Sequence, residues 1–267
     1  MKTTMQSMAC MVMDVLVILC GTEILHAQDF SGPKVADAKS GDVRVLATAA
    51  IRQPLDKVRN QAQQVVGHPL VIEYGSARGN LKQEILAGQN FEVALLLPDV
   101  NAELLKADKI LPDSFEIARD PVGVGLRGEA PNLDVSTPES LKQAMLHARS
   151  VRYAPTGAAL DTVKKILGTL GIANAINDSS SLQQPVALGP GEYEINLFPV
   201  SEIIPNKALI NLGPVTPSLQ VPVVITAVVG KHAGDMQAAR SLIKFLQGRA
   251  VAVALTEDGM EAGRPGE

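Results

Sequence analysis

The chain has 267 residues, of which 46% are hydrophobic, 19% charged and 3% aromatic. That apolar share belongs to a packed globular protein and excludes disorder, collagen and coiled coil as the main description. A net charge of −4 without a dense Lys/Arg block lacks the basic footprint of a nucleic-acid surface, and five Phe, three Tyr and no Trp leave few stacking platforms.

The first residues read as a targeting segment. Lys2, an apolar stretch from Met8 to Gly21 broken by Asp14, and Leu25-His26-Ala27 follow the order of a secretory signal, with cleavage expected after Ala27. The apolar stretch is too short to span a bilayer. Two competing readings are a helix of the domain itself and a lipoprotein modified at Cys20, where bulky Leu19 occupies a position that processing wants small. Cleavage removes Cys10 and Cys20, so the exported chain is expected to lack disulfides, thiol nucleophiles and Cys-based metal sites. Its stability then rests on its own core, which a chain of this size can bury.

A unit of buried strand and amphipathic helix then repeats. Val43–Ala47 is a β-branched strand, and Pro54–Val66 a helix with Leu55, Val58, Ala62 and Val65 on one face, stopped by Gly67. Leu70–Tyr74 is a second strand, and Gly79–Ala87 a helix with Leu81, Ile85 and Leu86 inward. Val93–Leu97 and Asp99–Ala107 complete a third strand–helix pair. The pattern pauses across Ser114–Asn132, rich in Gly and Pro, and resumes at Ser136-Thr137-Pro138-Glu139, a capping box that launches a helix through His147. Val151–Ala154 is a strand, and Gly157–Leu170 the strongest helix, with Asp161 and Lys165 spaced to pair at i,i+4. Glu194–Pro199 and Ala208–Leu212 are strands. After a second break at Gly213–Pro217 come a long apolar strand, Val221–Val229, and helices at Asp235–Gln247 and Arg249–Thr256.

Strands alternating with helices define an α/β protein with parallel units and both sheet faces covered. Two Pro/Gly breaks allow one domain with irregular loops, or two α/β lobes. In the second case residues 41–119 and 217–263 form lobe 1, and residues 120–216 form lobe 2, inserted into it. Crossings near Asp120–Gly125 and Leu212–Pro217 would then make a hinge, and the hinge a cleft.

Familiar catalytic strings fail in context. Gly123-Val124-Gly125-Leu126-Arg127-Gly128 fits G-x-G-x-x-G, yet Glu129-Ala130-Pro131-Asn132 cannot open the helix that a pyrophosphate needs. The glycines fit an inter-lobe strand better. His68, His147 and His232 lie too far apart in sequence to suggest a metal site. Asn177-Asp178-Ser179 matches a glycosylation acceptor, as chance strings do.

What recurs instead is a strand-to-helix turn with small polar residues: Ala47-Thr48-Ala49-Ala50, Tyr74-Gly75-Ser76-Ala77-Arg78-Gly79, Ala154-Pro155-Thr156-Gly157 and Pro199-Val200-Ser201. Ligands of open α/β sheets bind beyond the carboxyl ends of strands, where helix N-termini suit an anion. Each turn alone reads as an ordinary N-cap. Four at equivalent positions point to a shared anion site.

These residues resemble a family. Leu46-Ala47-Thr48-Ala49-Ala50, Tyr74-Gly75-Ser76-Ala77 before Leu81-Lys82-Gln83-Glu84-Ile85, then Ala87-Gly88 and Val93, look like the first lobe of exported molybdate-type solute-binding proteins. Phe198-Pro199-Val200-Ser201-Glu202-Ile203-Ile204-Pro205, Leu212-Gly213-Pro214 and Asp258-Gly259-Met260-Glu261-Ala262-Gly263 look more like a divergent side branch. The resemblance spans most of Gly41–Gly263. It implies a two-lobe type II periplasmic binding protein fold, each lobe a mixed, mostly parallel sheet flanked by helices. It also implies a monomer, without cofactor or metal, that captures a small anionic ligand and delivers it to an ABC permease.

The departures shape the expected site. Ala50 stands where molybdate binders carry their first serine, and the longer second turn lets either Ser76 or Arg78 occupy the next serine's place. An arginine fork suits a carboxylate, whereas molybdate binders use neutral donors. An organic carboxylate is therefore favoured over a molybdate-like oxyanion. The expected ligand-binding set is Thr48, Ala49, Arg52, Ser76, Ala77, Arg78, Thr156, Gly157 and Ser201, with Arg78 or Arg52 pairing with the charge. Two other readings use the same cleft: a sensor-docking protein, and an isomerase resembling aconitate isomerases, for which Glu73 or Tyr153 would serve as base.

Overall fold

The computed structural model of the chain describes residues 32–130, 132–182 and 184–264. The segment read as a signal, with Cys10 and Cys20, lies outside the described residues. Among the described residues no helix is long and apolar enough to cross a membrane.

The chain order is β1 (Val43–Thr48), α1 (Arg52–Val66), β2 (Leu70–Gly75), α2 (Lys82–Leu86), β3 (Val93–Leu96), α3 (Pro98–Lys106), β4 (Ile110–Asp120) and β5 (Val122–Gly128). It continues through α4 (Pro138–His147), β6 (Ser150–Arg152), α5 (Leu160–Leu170), β7 (Tyr193–Pro199), α6 (Val200–Ile203) and β8 (Ile210–Pro214). Last come β9 (Val223–Gly230), α7 (Met236–Leu246), α8 (Arg249–Glu257) and β10 (Glu261–Ala262).

The strands form two sheets, of order β10-β4-β9-β3-β1-β2 and β6-β7-β5-β8. Both are mixed. In the first, β2, β1, β3 and β4 run one way and β9 and β10 run against them. In the second, β6, β7 and β8 share a direction and β5 opposes them. Every residue of β3 is buried, as expected of a strand flanked on both sides and covered on both faces.

The Gly/Pro-rich stretch that read as a pause is two long strands, β4 and β5, joined by Pro121 alone. β4 belongs to the first sheet and β5 to the second, so the chain changes sheet at one residue. Gly123 and Gly125 lie inside β5 because side chains from β7's follower α6 leave no room: a Cβ on Gly123 would stand 2.8 Å from Val200 Cγ2. The return passage lies beside the outward one, Asp120 pairing with Val223 and Gly123 with Pro214. Gln220 staples the two crossings, accepting from Val122 N (3.2 Å) and donating to Val122 O (2.6 Å) and Val215 O (3.1 Å).

Several local expectations need correction. Val65 and Leu86, read as inward, are 58% and 42% exposed, because each lies at the last turn of its helix, past the sheet it covers. The capping box closes between Thr137 and Ser140, not Glu139, with both reciprocal bonds at 3.0 Å. α5 starts at Leu160, three residues after Gly157, and Asp161 turns to Arg78 instead of Lys165, whose Nζ donates to Gln220 O at 3.1 Å.

Leu95 sits at the centre of β3, fully buried between β1 and β9. Leu95→Ala removes that packing and leaves a cavity, and is expected to lower the unfolding free energy by about 2–5 kcal/mol. Urea denaturation should show a lower midpoint at unchanged slope.

Candidate functional site

Register brings the sequence-predicted turns together in pairs. Thr48 of β1 lies beside Gly75 of β2, so the turns at residues 49–52 and 76–79 are neighbours at the carboxyl ends of the first sheet. Arg152 of β6 lies beside Asn196 of β7, which does the same for the turns at residues 153–159 and 200–203 in the second. The two pairs then meet crosswise. Ser76 Oγ contacts Thr156 O at 2.8 Å and Thr156 Oγ1 at 3.1 Å. Ser201 Oγ lies 2.7 Å from Ala50 O.

None of the four turns behaves as an ordinary N-cap. The helical segments beginning at Ala49, Ala77, Leu160 and Val200 have no side-chain cap bond. Elsewhere Thr137 accepts from Ser140 N on α4 and Asp235 from Ala238 N on α7, while α3 and α8 are likewise without a side-chain cap. Ser76 and Ser201 direct their hydroxyls across the gap between sheets, not back along their own helices. Thr48 is buried and Thr156 exposed.

The second turn is wound unusually. Residues Ala77–Leu81 form a π-type turn with non-helical geometry at Gly79 (φ −99°, ψ −117°). Asn80 Oδ1 accepts from Ser76 N at 2.9 Å, and Leu81 N donates to Ser76 O at 3.2 Å, which locks Ser76 in place. A Cβ at Gly79 would stand 2.9 Å from Ser76 Oγ and 3.3 Å from Thr156 Oγ1. Glycine is therefore needed for close approach of the two lobes' turns.

The two arginines have different surroundings. Arg78 Nε bonds to Asp99 (2.7 Å), Nη2 to Asp161 (2.5 Å) and Nη1 to Gly157 O (3.1 Å). Its guanidinium thus joins the two sheets' turns through carboxylates of α3 and α5, which hold its pKa up against the opposing effect of burial. Arg52 opens α1 with its guanidinium 4.7 Å from the Tyr74 ring centroid, and its buried Nε has no hydrogen-bond partner. Tyr74 OH in turn donates to Asp56 Oδ1 at 2.7 Å, so burial and Asp56 together push the phenol's pKa up.

Sequence reasoning missed Asp120. It is fully buried at the end of β4, with Ser201 Oγ 2.5 Å from Oδ2 and Ser201 N 3.5 Å from Oδ1. Burial pushes its pKa up to about 8. No motif marked it, because an acidic residue at a strand end reads as solvent-facing. The bases considered for an isomerase are both engaged: Glu73 accepts from Lys34 Nζ (2.5 Å) and Val35 N (2.9 Å), and Tyr153 OH donates to Asp178 at 2.7 Å. An apolar cavity of about 780 Å³ lies beside the crossings, lined by Pro121, Leu212, Val215, Pro217 and Gln220 among others, and none of the nine sequence-predicted residues borders it.

A two-sheet α/β chain whose carboxyl-end turns face one another has the architecture of type II periplasmic binding proteins. Residues 43–261 match the family described as bacterial extracellular solute-binding protein, and the chain belongs to that family. It is 19% identical to an aconitate isomerase from Pseudomonas sp over 240 residues, 86% of this chain and 92% of that one. The periplasmic molybdate-binding protein of Azotobacter vinelandii superposes with a TM-score of 0.62 at 19% identity, covering 84% of this chain and 100% of that one. The sulfate-binding protein SubI of Mycobacterium tuberculosis superposes with a TM-score of 0.63 at 14% identity, covering 84% and 86%.

Gly79→Ala should force Ser76 and Thr156 apart. Small-angle scattering of the variant is expected to show a larger radius of gyration than the native chain, with the thermal midpoint lowered by only a few degrees, corresponding to about 1 kcal/mol.

Proposed function

We propose that this protein is an extracytoplasmic receptor that captures a small anion between its four facing turns and presents it to an ABC permease. The observation that supports this reading is that the four carboxyl-end turns meet crosswise, Ser76 with Thr156 and Ser201 with Ala50. The helical segments starting at Ala49, Ala77 and Leu160 have no side-chain cap, which keeps a positive dipole end open to an anion, while the start of α6 is taken by Asp120. Lobe 1 comprises residues 41–119 and 217–263, and lobe 2 residues 120–216. The paired crossings then act as the hinge. Export follows cleavage after Ala27, and the mature protein works as a monomer without cofactor.

Within this site Thr48, Ser76 and Thr156 supply hydroxyl donors, and Ala49, Ala77 and Gly157 supply backbone. Ser201 sits behind them, joining the lobes. Arg52 is the cation for the ligand, since its buried Nε lacks an acceptor that a bound anion would provide. Arg78 closes the lobes through Asp99 and Asp161 and meets the ligand only if it releases one of them. A guanidinium binds a planar carboxylate in forked geometry, which favours an organic carboxylate over a tetrahedral oxyanion.

A second reading is an isomerase of a small carboxylate on the same scaffold, favoured by the relative named for aconitate. Its proton-transfer group would have to be other than Glu73 and Tyr153, given their ion pair and hydrogen bond. Incubation with trans-aconitate followed by proton NMR separates the readings. Appearance of the cis isomer at an enzymatic rate means catalysis; an unchanged spectrum means capture alone.

Thermal-shift screening against molybdate, sulfate, citrate and trans-aconitate is expected to show stabilisation by a carboxylate, by mass action on the folded state. Stabilisation by molybdate alone would overturn the carboxylate preference. Calorimetry with the responding anion should then show Arg52→Ala weakening binding by about 2–5 kcal/mol, the cost of removing a desolvated charge partner. Thr48→Val should cost about 1 kcal/mol. Arg78→Ala should cost less than Arg52→Ala, and the reverse order would put Arg78 on the ligand.

A further inference from the structure

Ser201 Oγ faces two acceptors, and its one proton cannot serve both if Asp120 is charged. Ser201 Oγ is 2.5 Å from Asp120 Oδ2 and 2.7 Å from Ala50 O. A serine hydroxyl carries one proton and a peptide carbonyl none. With Asp120 as a carboxylate, one of these short contacts would be acceptor against acceptor. With Asp120 protonated, its O–H donates to Ser201 Oγ, and the Ser201 O–H donates to Ala50 O. Every short contact then contains a proton.

We propose that Asp120 holds a proton in the closed protein, so that lobe closure on the ligand takes up one proton with it. This rests on the reading that ligand capture closes the lobes. The place of the residues supports it: Asp120 and Ser201 lie side by side at the crossing, on lobe 2, and Ala50 O lies on lobe 1, so opening breaks the Ser201–Ala50 bond and frees the serine proton for a charged Asp120. Both residues are buried, so water does not enter to satisfy the spare acceptor.

The surroundings act in the same direction. Burial raises the pKa of Asp120 most, and Glu202 on α6 adds a like charge; the Ser201 hydroxyl and the N–H groups of Val200 and Ser201 act against them. The other elements packed against it bring no opposing cation. β9, paired to Asp120 at Val223, carries no ionisable side chain, and residues 49–51 are Ala-Ala-Ile. Arg119 on the same strand is held by both oxygens of Glu116, and Arg52 beyond the first turn stacks on Tyr74. A carboxyl raised in this way stabilises the closed fold fully below about pH 4, where the unfolded carboxyl is protonated too, and that stabilisation is lost as pH rises to about 8.

Carbon-13 NMR of aspartate-labelled full chain, with Asp120 identified by its loss in Asp120→Asn, reads the proton directly. Small-angle scattering from pH 5 to pH 10 reads closure without any ligand. Asp120 is expected to titrate above pH 7, and the closing constant of the native chain to fall by up to about tenfold per pH unit between pH 5 and 8 and to level off above that. Asp120→Asn, whose amide N–H still donates to Ser201 Oγ, should stay closed across the range. Titration of Asp120 below pH 5, or opening of both proteins at the same pH, would overturn the proposal. Calorimetry with trans-aconitate and with molybdate in buffers of different ionisation enthalpy tests the ligand reading separately. Binding of neither anion, with pH-dependent closure intact, would count against anion capture and leave the protonated contact standing.

Discussion

Ser76, at the cap position of its helical segment, and Ser201, in the first turn of α6, both bond across to the other sheet. The Ser76 bond takes a hydroxyl from its own helix start and adds a link between lobes. These two links hold the facing turns together. The Ser76 N–H and carbonyl are held by Asn80 and Leu81, so the hydroxyl is aimed rather than free to rotate with the backbone. Glycine at position 79 keeps the approach open.

The crosswise links at the turns are polar: Ser76 to Thr156, Arg78 to Asp161 and Gly157, and Ser201 to Ala50. Apolar packing joins the two sides too: a Cβ on Gly259 would stand 2.8 Å from Val200 Cγ1. The covalent connection is narrow: Pro121 on the way out, a short return from β8 to β9, and Gln220 bonding to both. Each sheet meanwhile has its own buried strands. In the proposed reading this crossing is the hinge, and a ligand bonding to both sides would bias the lobes toward closure.

Much of the architecture was legible in the chain. The apolar runs of β1, β2, β3, β7 and β9 marked buried strands, and the 3.6-residue stripes of α1, α5 and α7 marked the helices that cover them. The stretch at residues 110–128 was opaque because its signal is mixed. β4 has a run of three exposed residues, no alternation and register shifts, while β5 is built on glycines that α6 requires to be small. Turn chemistry was visible as well: all four small polar turns were found, along with Arg52 and Arg78. Which arginine was already bonded could not be found that way. Asp99 and Asp161, the partners of Arg78, lie 21 and 83 residues from it.

The sequence by itself determined most elements outside residues 110–128 and the residue types at the turns, since these follow from local periodicity, backbone preferences and cap chemistry within a few positions. Only the tertiary structure decided which turn faces which, that Asp161 leaves Lys165 for Arg78, that Arg52 Nε is left without an acceptor, and that Asp120 is enclosed. Those outcomes depend on strand register and on two chain passages lying side by side at the crossing. Burial, charge pairing and proton position are properties of that assembled neighbourhood, and no window of the sequence contains it.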